Sequence, residues 1–89
     1  MIKTKGKMKI TTRRYIEKHL FKARSKHPRF VEGLIQVPAI ATEELGEMVK
    51  DINNAYYANG DIEREILMKG AKSEALDLIA VLIRFIEDD

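Results

Sequence analysis

Two pairs of carboxylates constrain the folding of this chain more than any other feature. Glu44 and Glu47 form one pair, Glu74 and Asp77 form the other, and Glu43 directly precedes the first. Both pairs have i, i+3 spacing, which on a helix puts two side chains on one face about one turn apart. Like charges that close repel each other, so a fold that keeps both pairs needs something positive between them. A hard divalent cation is the simplest candidate, because such ions prefer oxygen ligands.

The spacing of apolar residues predicts one helix before Pro28 and a second helix that contains Pro38. Thr11 or Thr12 is expected to cap a first helix that runs to about Ser25. Pro28 ends it, since the residue before a proline avoids the helical region. A second helix is predicted from about Val37 to Ala58, with one apolar stripe formed by Ala41, Leu45, Met48, Ile52 and Ala55.

The C-terminal third predicts two further helices. A turn at Asn59-Gly60-Asp61 precedes a short helix from Asp61 to Lys69, which Gly70 is expected to end. Ser73 is expected to cap a last helix through Ile86, and its almost entirely apolar composition indicates burial. No strand-like alternation competes. The expected fold is all-α, a small bundle of about four helices completed by oligomerisation, because 89 residues supply only a modest core.

Charge divides the chain into a basic and an acidic part. Residues 1–29 carry eleven Lys or Arg against one acid, and residues 30–89 carry five against thirteen acids. We expect a flexible basic arm over residues 1–10 and a single all-α domain over 11–89. The arm is either solvated or a contact for phosphates, nucleic acid or a partner subunit.

Several classes of protein are disfavoured by composition. The chain has no cysteine, which excludes disulfides and thiolate metal sites and fits a cytoplasmic location. The basic N-terminus lacks the apolar segment of a signal peptide, and the longest apolar run is too short for a membrane. Only two histidines are present, without metal-ligand spacing, and no glycine-rich phosphate loop is found.

Asp77 is the most informative single residue. It lies between Leu76 and Leu78 in a helix expected to be buried, so its charge must be neutralised, paired or bound to a cation. A structural ion pair, with Arg84 or with a residue of the first helix, is the alternative to metal binding. For Glu43, Glu44 and Glu47 the alternative is an ordinary solvated acidic face. The two pairs together favour a metal site, since helical bundles build such sites from inward-facing carboxylates.

The motif Glu43-Glu44-Leu-Gly-Glu47, followed after 26 residues by Glu74-Ala-Leu-Asp77, resembles the signature of MazG-like, all-α nucleoside triphosphate pyrophosphohydrolases. The resemblance covers about residues 37–87. It implies Mg²⁺-dependent hydrolysis of a ribo- or deoxynucleoside triphosphate to the monophosphate and pyrophosphate, by a homodimer or homotetramer. It also implies that Glu44, Glu47, Glu74 and Asp77 are metal ligands, with Glu43 as an alternate ligand or the residue that orients water.

The sequence leaves other functions open. The chain has no Trp to frame a base, and Tyr56, Tyr57, Phe21 and Phe30 are expected to lie mainly in the core. Base and sugar preference, the number of metal ions and the pathway are not determined by these residues. Phosphoribosyl-ATP pyrophosphohydrolase is the nearest enzymatic rival. The alternatives of other classes are a nucleotide-binding protein without turnover and a helical module that binds nucleic acid through its basic N-terminal segment.

Overall fold

The computed structural model describes residues 7–28 and 36–88, and three helices account for nearly all of them. Helix α1 spans Ile10–Lys26, α2 spans Gln36–Tyr56 and α3 spans Asp61–Glu87. No strand occurs in these two ranges, so the all-α prediction is confirmed. No helix within them is long and apolar enough to cross a bilayer.

The prediction of about four helices is wrong, because the last two predicted helices are one. Helix α3 runs 27 residues without interruption through Gly70 and Ser73, which were expected to end one helix and begin the next. Gly70 serves the packing of α3 on α2 instead. A Cβ atom at Gly70 would lie 2.8 Å from the Asp51 Oδ2 atom of α2. The absent side chain therefore leaves room for the Asp51 carboxylate, at a cost in helix propensity of about 1 kcal/mol relative to alanine.

The helix ends also differ slightly from the predictions. The N-cap of α1 is Lys9, without a side-chain capping bond, so neither Thr11 nor Thr12 caps this helix. Gly60 rather than Asp61 is the N-cap of α3, and Asp61 lies in the first turn, where its carboxylate accepts a 3.1 Å hydrogen bond from Arg64. A carboxylate in that turn is favoured by the helix dipole.

Helix α3 is the centre of the fold. Helices α2 and α3 form an antiparallel hairpin around residues 57–60, and α1 packs against α3 alone within the described ranges. Three alanines are the buried hydrophobic residues of these ranges: Ala55, Ala71 and Ala80, each 2% exposed. Small side chains at these positions let helix backbones approach closely, and they supply little apolar core.

The expectation that the last apolar segment is buried is wrong for a single chain. Leu82, Phe85 and Ile86 are 43%, 47% and 75% exposed. Tyr56, Tyr57 and Phe21, also expected to lie mainly in the core, are all more than 70% exposed. Phe30 lies outside the described residues, as do residues 1–6 of the predicted arm.

A buried arginine fixes α1 on α3. Arg84 is 4% exposed, and it donates to the carbonyl oxygens of Ala23 (3.2 Å) and His27 (2.8 Å) at the C-terminal end of α1. Its Nε atom also donates to Asp88 Oδ2 at 2.8 Å. Arg24 of α1 donates to the same Asp88 carboxylate, which lowers the pKa of Asp88 to about 2. Because a helix C-terminus is negative, these cations stabilise the end of α1.

Arg84→Met should lower the free energy of unfolding by about 3 kcal/mol, since two carbonyls and a carboxylate lose a buried donor. Equilibrium urea unfolding followed by helical circular dichroism measures the change. Arg13→Met, at an exposed site on α1, is the matched control and should stay within about 0.5 kcal/mol of wild type. Equal stability of the two variants would mean that Arg84 does not anchor α1.

Candidate metal centre

The hairpin brings the two carboxylate pairs opposite each other. Asp51 of α2 lies against Gly70 of α3. Further residues of α2 and α3 face each other at intervals of three or four residues away from the turn. Three or four residues further along each helix, Glu47 lies against Glu74 and Glu44 lies close to Asp77. The i, i+3 spacing within each helix thus becomes a cross-helix match, because the antiparallel helices advance by equal steps in opposite directions.

Three of the predicted ligands converge on one point. Glu44, Glu74 and Asp77 each offer a carboxylate oxygen, and these three oxygens all lie within 4.8 Å of one another. All three residues are partly buried. Neighbouring ligand oxygens around Mg²⁺ are about 3 Å apart, and those around Ca²⁺ about 3.4 Å. The three side chains would therefore have to rotate towards one another to share a single ion.

The other two predicted site residues flank this cluster. The Glu47 side chain lies beside Glu74 and contributes to raising the pKa of Glu74. Glu43 is exposed on α2, and its charge contributes to raising the pKa of Glu44. The structure therefore brings all five carboxylates into one neighbourhood, with three in position for a shared ion and two beside it.

The pKa values of two carboxyls reflect this crowding. Burial, and then the negative charges of Asp77, Glu47 and Glu43, raise the pKa of Glu44 above its ordinary value. The hydrogen bond with Glu47, followed by burial and the surrounding carboxylates, raises the pKa of Glu74 from 4.5 to about 7. A proton on Glu74 therefore offsets part of the repulsion near neutral pH.

A histidine that sequence reasoning did not assign to the site contacts Asp77. His19 Nδ1 of α1 lies 2.7 Å from Asp77 Oδ1. The alternative in which Asp77 pairs with a residue of the first helix thus has a structural basis. Arg84, the other partner considered for Asp77, bonds to Asp88 and to the α1 carbonyls. The available signal was the helical spacing of His19 with Ile16, Leu20 and Ala23, which are all partly buried on one side of α1.

A cleft between α1 and α3 adjoins the acidic cluster. Its volume is about 550 Å³, and its walls are mostly apolar with two lysines, a tyrosine and the same histidine: Tyr15, His19, Lys69, Lys72, Ser73, Leu76. His19 therefore borders both the cleft and the carboxylates. An apolar cleft with a few polar groups is typical of small-molecule sites.

The apo protein should lose stability as the pH rises from about 5 to about 8. Glu74 binds its proton more tightly in the folded protein, because its pKa is about 7 there and near 4.5 in the unfolded chain. The folded state then binds more protons in this window, so the free energy of unfolding falls with rising pH. The loss belonging to Asp88 occurs separately, at pH values below about 4, because its folded pKa is depressed.

Urea midpoints in EDTA across this window measure the effect. Glu74→Gln should flatten the dependence, and Glu65→Gln, at an exposed site on the same helix, should leave it unchanged. An unaltered pH dependence in Glu74→Gln would contradict the assignment of the proton to the Glu47–Glu74 pair.

Comparison with known proteins adds no family to this geometry. No family model, curated protein sequence or solved structure matches the chain. The MazG-like assignment accordingly stays a hypothesis carried by the carboxylate motif and its arrangement on two helices.

Proposed function

We propose that this protein is a Mg²⁺-dependent nucleoside triphosphate pyrophosphohydrolase of the MazG-like type. The convergence of Glu44, Glu74 and Asp77 from two helices is the observation that carries the proposal. An ordinary solvated acidic face would spread its charges outward, whereas here burial and mutual proximity raise the pKa of Glu44 and of Glu74. Such an arrangement is unfavourable for the protein alone and favourable for one that binds a cation.

The residues divide into ligands and flanking acids. Glu44, Glu74 and Asp77 would hold Mg²⁺, and Glu47, beside Glu74, would join them. The ion would neutralise phosphate oxygens and make a bound water more acidic. Exposed Glu43, next to Glu44, would orient the water that attacks the α-phosphorus. The bond to pyrophosphate would then break, so that one triphosphate and one water yield a monophosphate and pyrophosphate.

The substrate's remaining charge needs further cations. Lys69 and Lys72 line the cleft beside the cluster and are suited to phosphate oxygens. Arg24 of α1 is bound to Glu87 and Asp88. Exposed aromatic rings suit stacking on a base, and Tyr15 lies in the cleft itself.

The purified protein should release pyrophosphate from at least one nucleoside triphosphate with Mg²⁺, and EDTA should abolish the release. Asp77→Asn and Glu47→Gln should each reduce the rate at least about 100-fold, above the range for residues that only support a metal ligand. A panel of ribo- and deoxynucleoside triphosphates with phosphoribosyl-ATP ranks the substrates in the same assay.

Glu65→Gln is the matched control for these variants, because it removes an exposed carboxylate from the same helix. Circular dichroism verifies that each variant is folded. Wild-type rates in folded Asp77→Asn would remove this residue from the site. Absence of release with every substrate would leave a nucleotide-binding protein without turnover.

A second candidate function is nucleic-acid binding through the basic segment. Arg14, Lys18 and Lys22 recur at four-residue intervals on α1 and are all exposed, so they form a positive stripe. Such a stripe suits a phosphate backbone, and affinity for duplex DNA would then fall steeply with salt. The acidic cluster has no role in that function, which makes it the second choice.

We also propose that the active form is a homo-oligomer, a dimer or a tetramer. A row of apolar residues along α2 is exposed: Leu45, Val49, Ile52. The buried hydrophobic residues of the described ranges are three alanines, so a single chain has little apolar core. Paired hairpins from two copies would cover this row.

Sedimentation equilibrium should therefore give a mass at least twice the 10.2 kDa of one chain. Ile52→Lys should shift the protein towards the monomer, because a charge in an apolar interface is strongly unfavourable. Asn53→Lys adds the same charge at the neighbouring exposed position and should not dissociate the oligomer. A monomeric wild-type protein at all concentrations would refute this part of the proposal.

A further inference from the structure

His19 is the one residue of α1 whose side chain is recorded in contact with the carboxylate cluster. Its Nδ1 atom lies 2.7 Å from Asp77 Oδ1, and its side chain is 20% exposed. The carboxylates themselves all come from α2 and α3. A contact made across helices so close to a candidate ligand invites a functional explanation.

The position of His19 is fixed by contacts further along α1. Arg84 binds the carbonyl oxygen of Ala23, one turn beyond His19, and that of His27, two turns beyond. Arg24 binds Asp88 on α3. These bonds set how far α1 extends along α3 and how it is rotated, so the imidazole reaches Asp77 from a held backbone.

Asp77 is a candidate ligand that would benefit from such support. Its side chain is 43% exposed, and the neighbouring carboxylates repel it away from the cluster. A carboxylate free to rotate outward binds a cation less well than one already aimed, because the ordering must then be offset by the binding energy. Hydrogen bonds from outer residues commonly hold metal-ligating carboxylates in place.

We propose that His19 is a positioning residue of the metal centre: its Nδ1–H donates to Asp77 Oδ1 and leaves the other carboxylate oxygen for the cation. This inference rests on the proposed metal site. It assigns to α1 a direct part in building that site, although α1 supplies no ligand. It also requires the tautomer with the proton on Nδ1, which leaves Nε2 as an acceptor.

The alternative is that the histidine substitutes for a cation in a structural ion pair with Asp77. The two interpretations predict opposite effects on metal affinity. Removing a positioning residue weakens cation binding. Removing a competing positive charge leaves the affinity unchanged or raises it.

Binding of Mn²⁺ alone to the full chain, measured by electron paramagnetic resonance at one fixed pH, tests the inference. His19→Leu should weaken Mn²⁺ binding about 10- to 100-fold. His19→Asn should stay close to wild type, because its amide nitrogen occupies nearly the place of Nδ1. His19→Gln carries the same amide one atom further out and should resemble His19→Leu. His27→Leu is the matched control, since that histidine is exposed and uses its backbone carbonyl.

The comparison of Asn with Gln keeps the test decisive if the leucine variant fails to fold, because both are polar and similar in size. A purely structural contact would not discriminate between them in Mn²⁺ affinity at equal helicity. Unchanged or tighter binding in His19→Leu, or equal binding by folded Asn and Gln variants, would overturn the inference. Failure of the wild type to bind Mn²⁺ would refute the metal centre itself. Binding without pyrophosphate release would refute only the proposed reaction.

Discussion

The close antiparallel packing of α2 on α3 is the constraint on which the rest of the structure depends. The buried hydrophobic residues of the described ranges are small, Ala55, Ala71 and Ala80, and Gly70 leaves room for the Asp51 side chain. Larger side chains here would separate the helices and the carboxylates that they carry. Because the helices approach closely, the carboxylates of Glu44 and Asp77 lie close together, as do those of Glu47 and Glu74. The packing thus creates repulsion between carboxylates, which a cation or a proton would offset.

Helix α1 is held on α3 by interactions that differ from those between α2 and α3. Its link to α3 includes charged and polar contacts, with the buried guanidinium of Arg84 at the centre. Such contacts depend strongly on geometry and contribute to a defined helix position more than to net stability. That precision suits a helix whose side chain must meet Asp77 within hydrogen-bond distance. An apolar interface of the same size would tolerate small shifts along the helix axis.

The sequence predicted the helical class and the convergence of the acidic pairs, because both follow from periodicity that is local to each helix. The sequence-based predictions failed for residues whose structural role depends on a contact with a residue distant in the sequence. Gly70 was interpreted as a terminator, since its local preference is to end helices, and only the approach of Asp51 explains its presence inside α3. His19 was overlooked for the same reason, because its polar partner Asp77 lies 58 residues away in the sequence. Exposure of Phe85 and Ile86 likewise depends on contacts that a single helix pattern does not specify.

The proposed metal site would couple cation binding to folding through the same four carboxylates. Without a cation, the hairpin is opposed by repulsion that a proton on Glu74 relieves only below about pH 7. A ligand that binds only the folded state adds about 2.7 kcal/mol of stability at one hundred times its dissociation constant. This is a large share of the stability of a small domain, which is commonly about 5 to 10 kcal/mol. The cation would therefore act as part of the core that three buried alanines do not supply, and the site's electrostatics would become a folding device as well as a catalytic one.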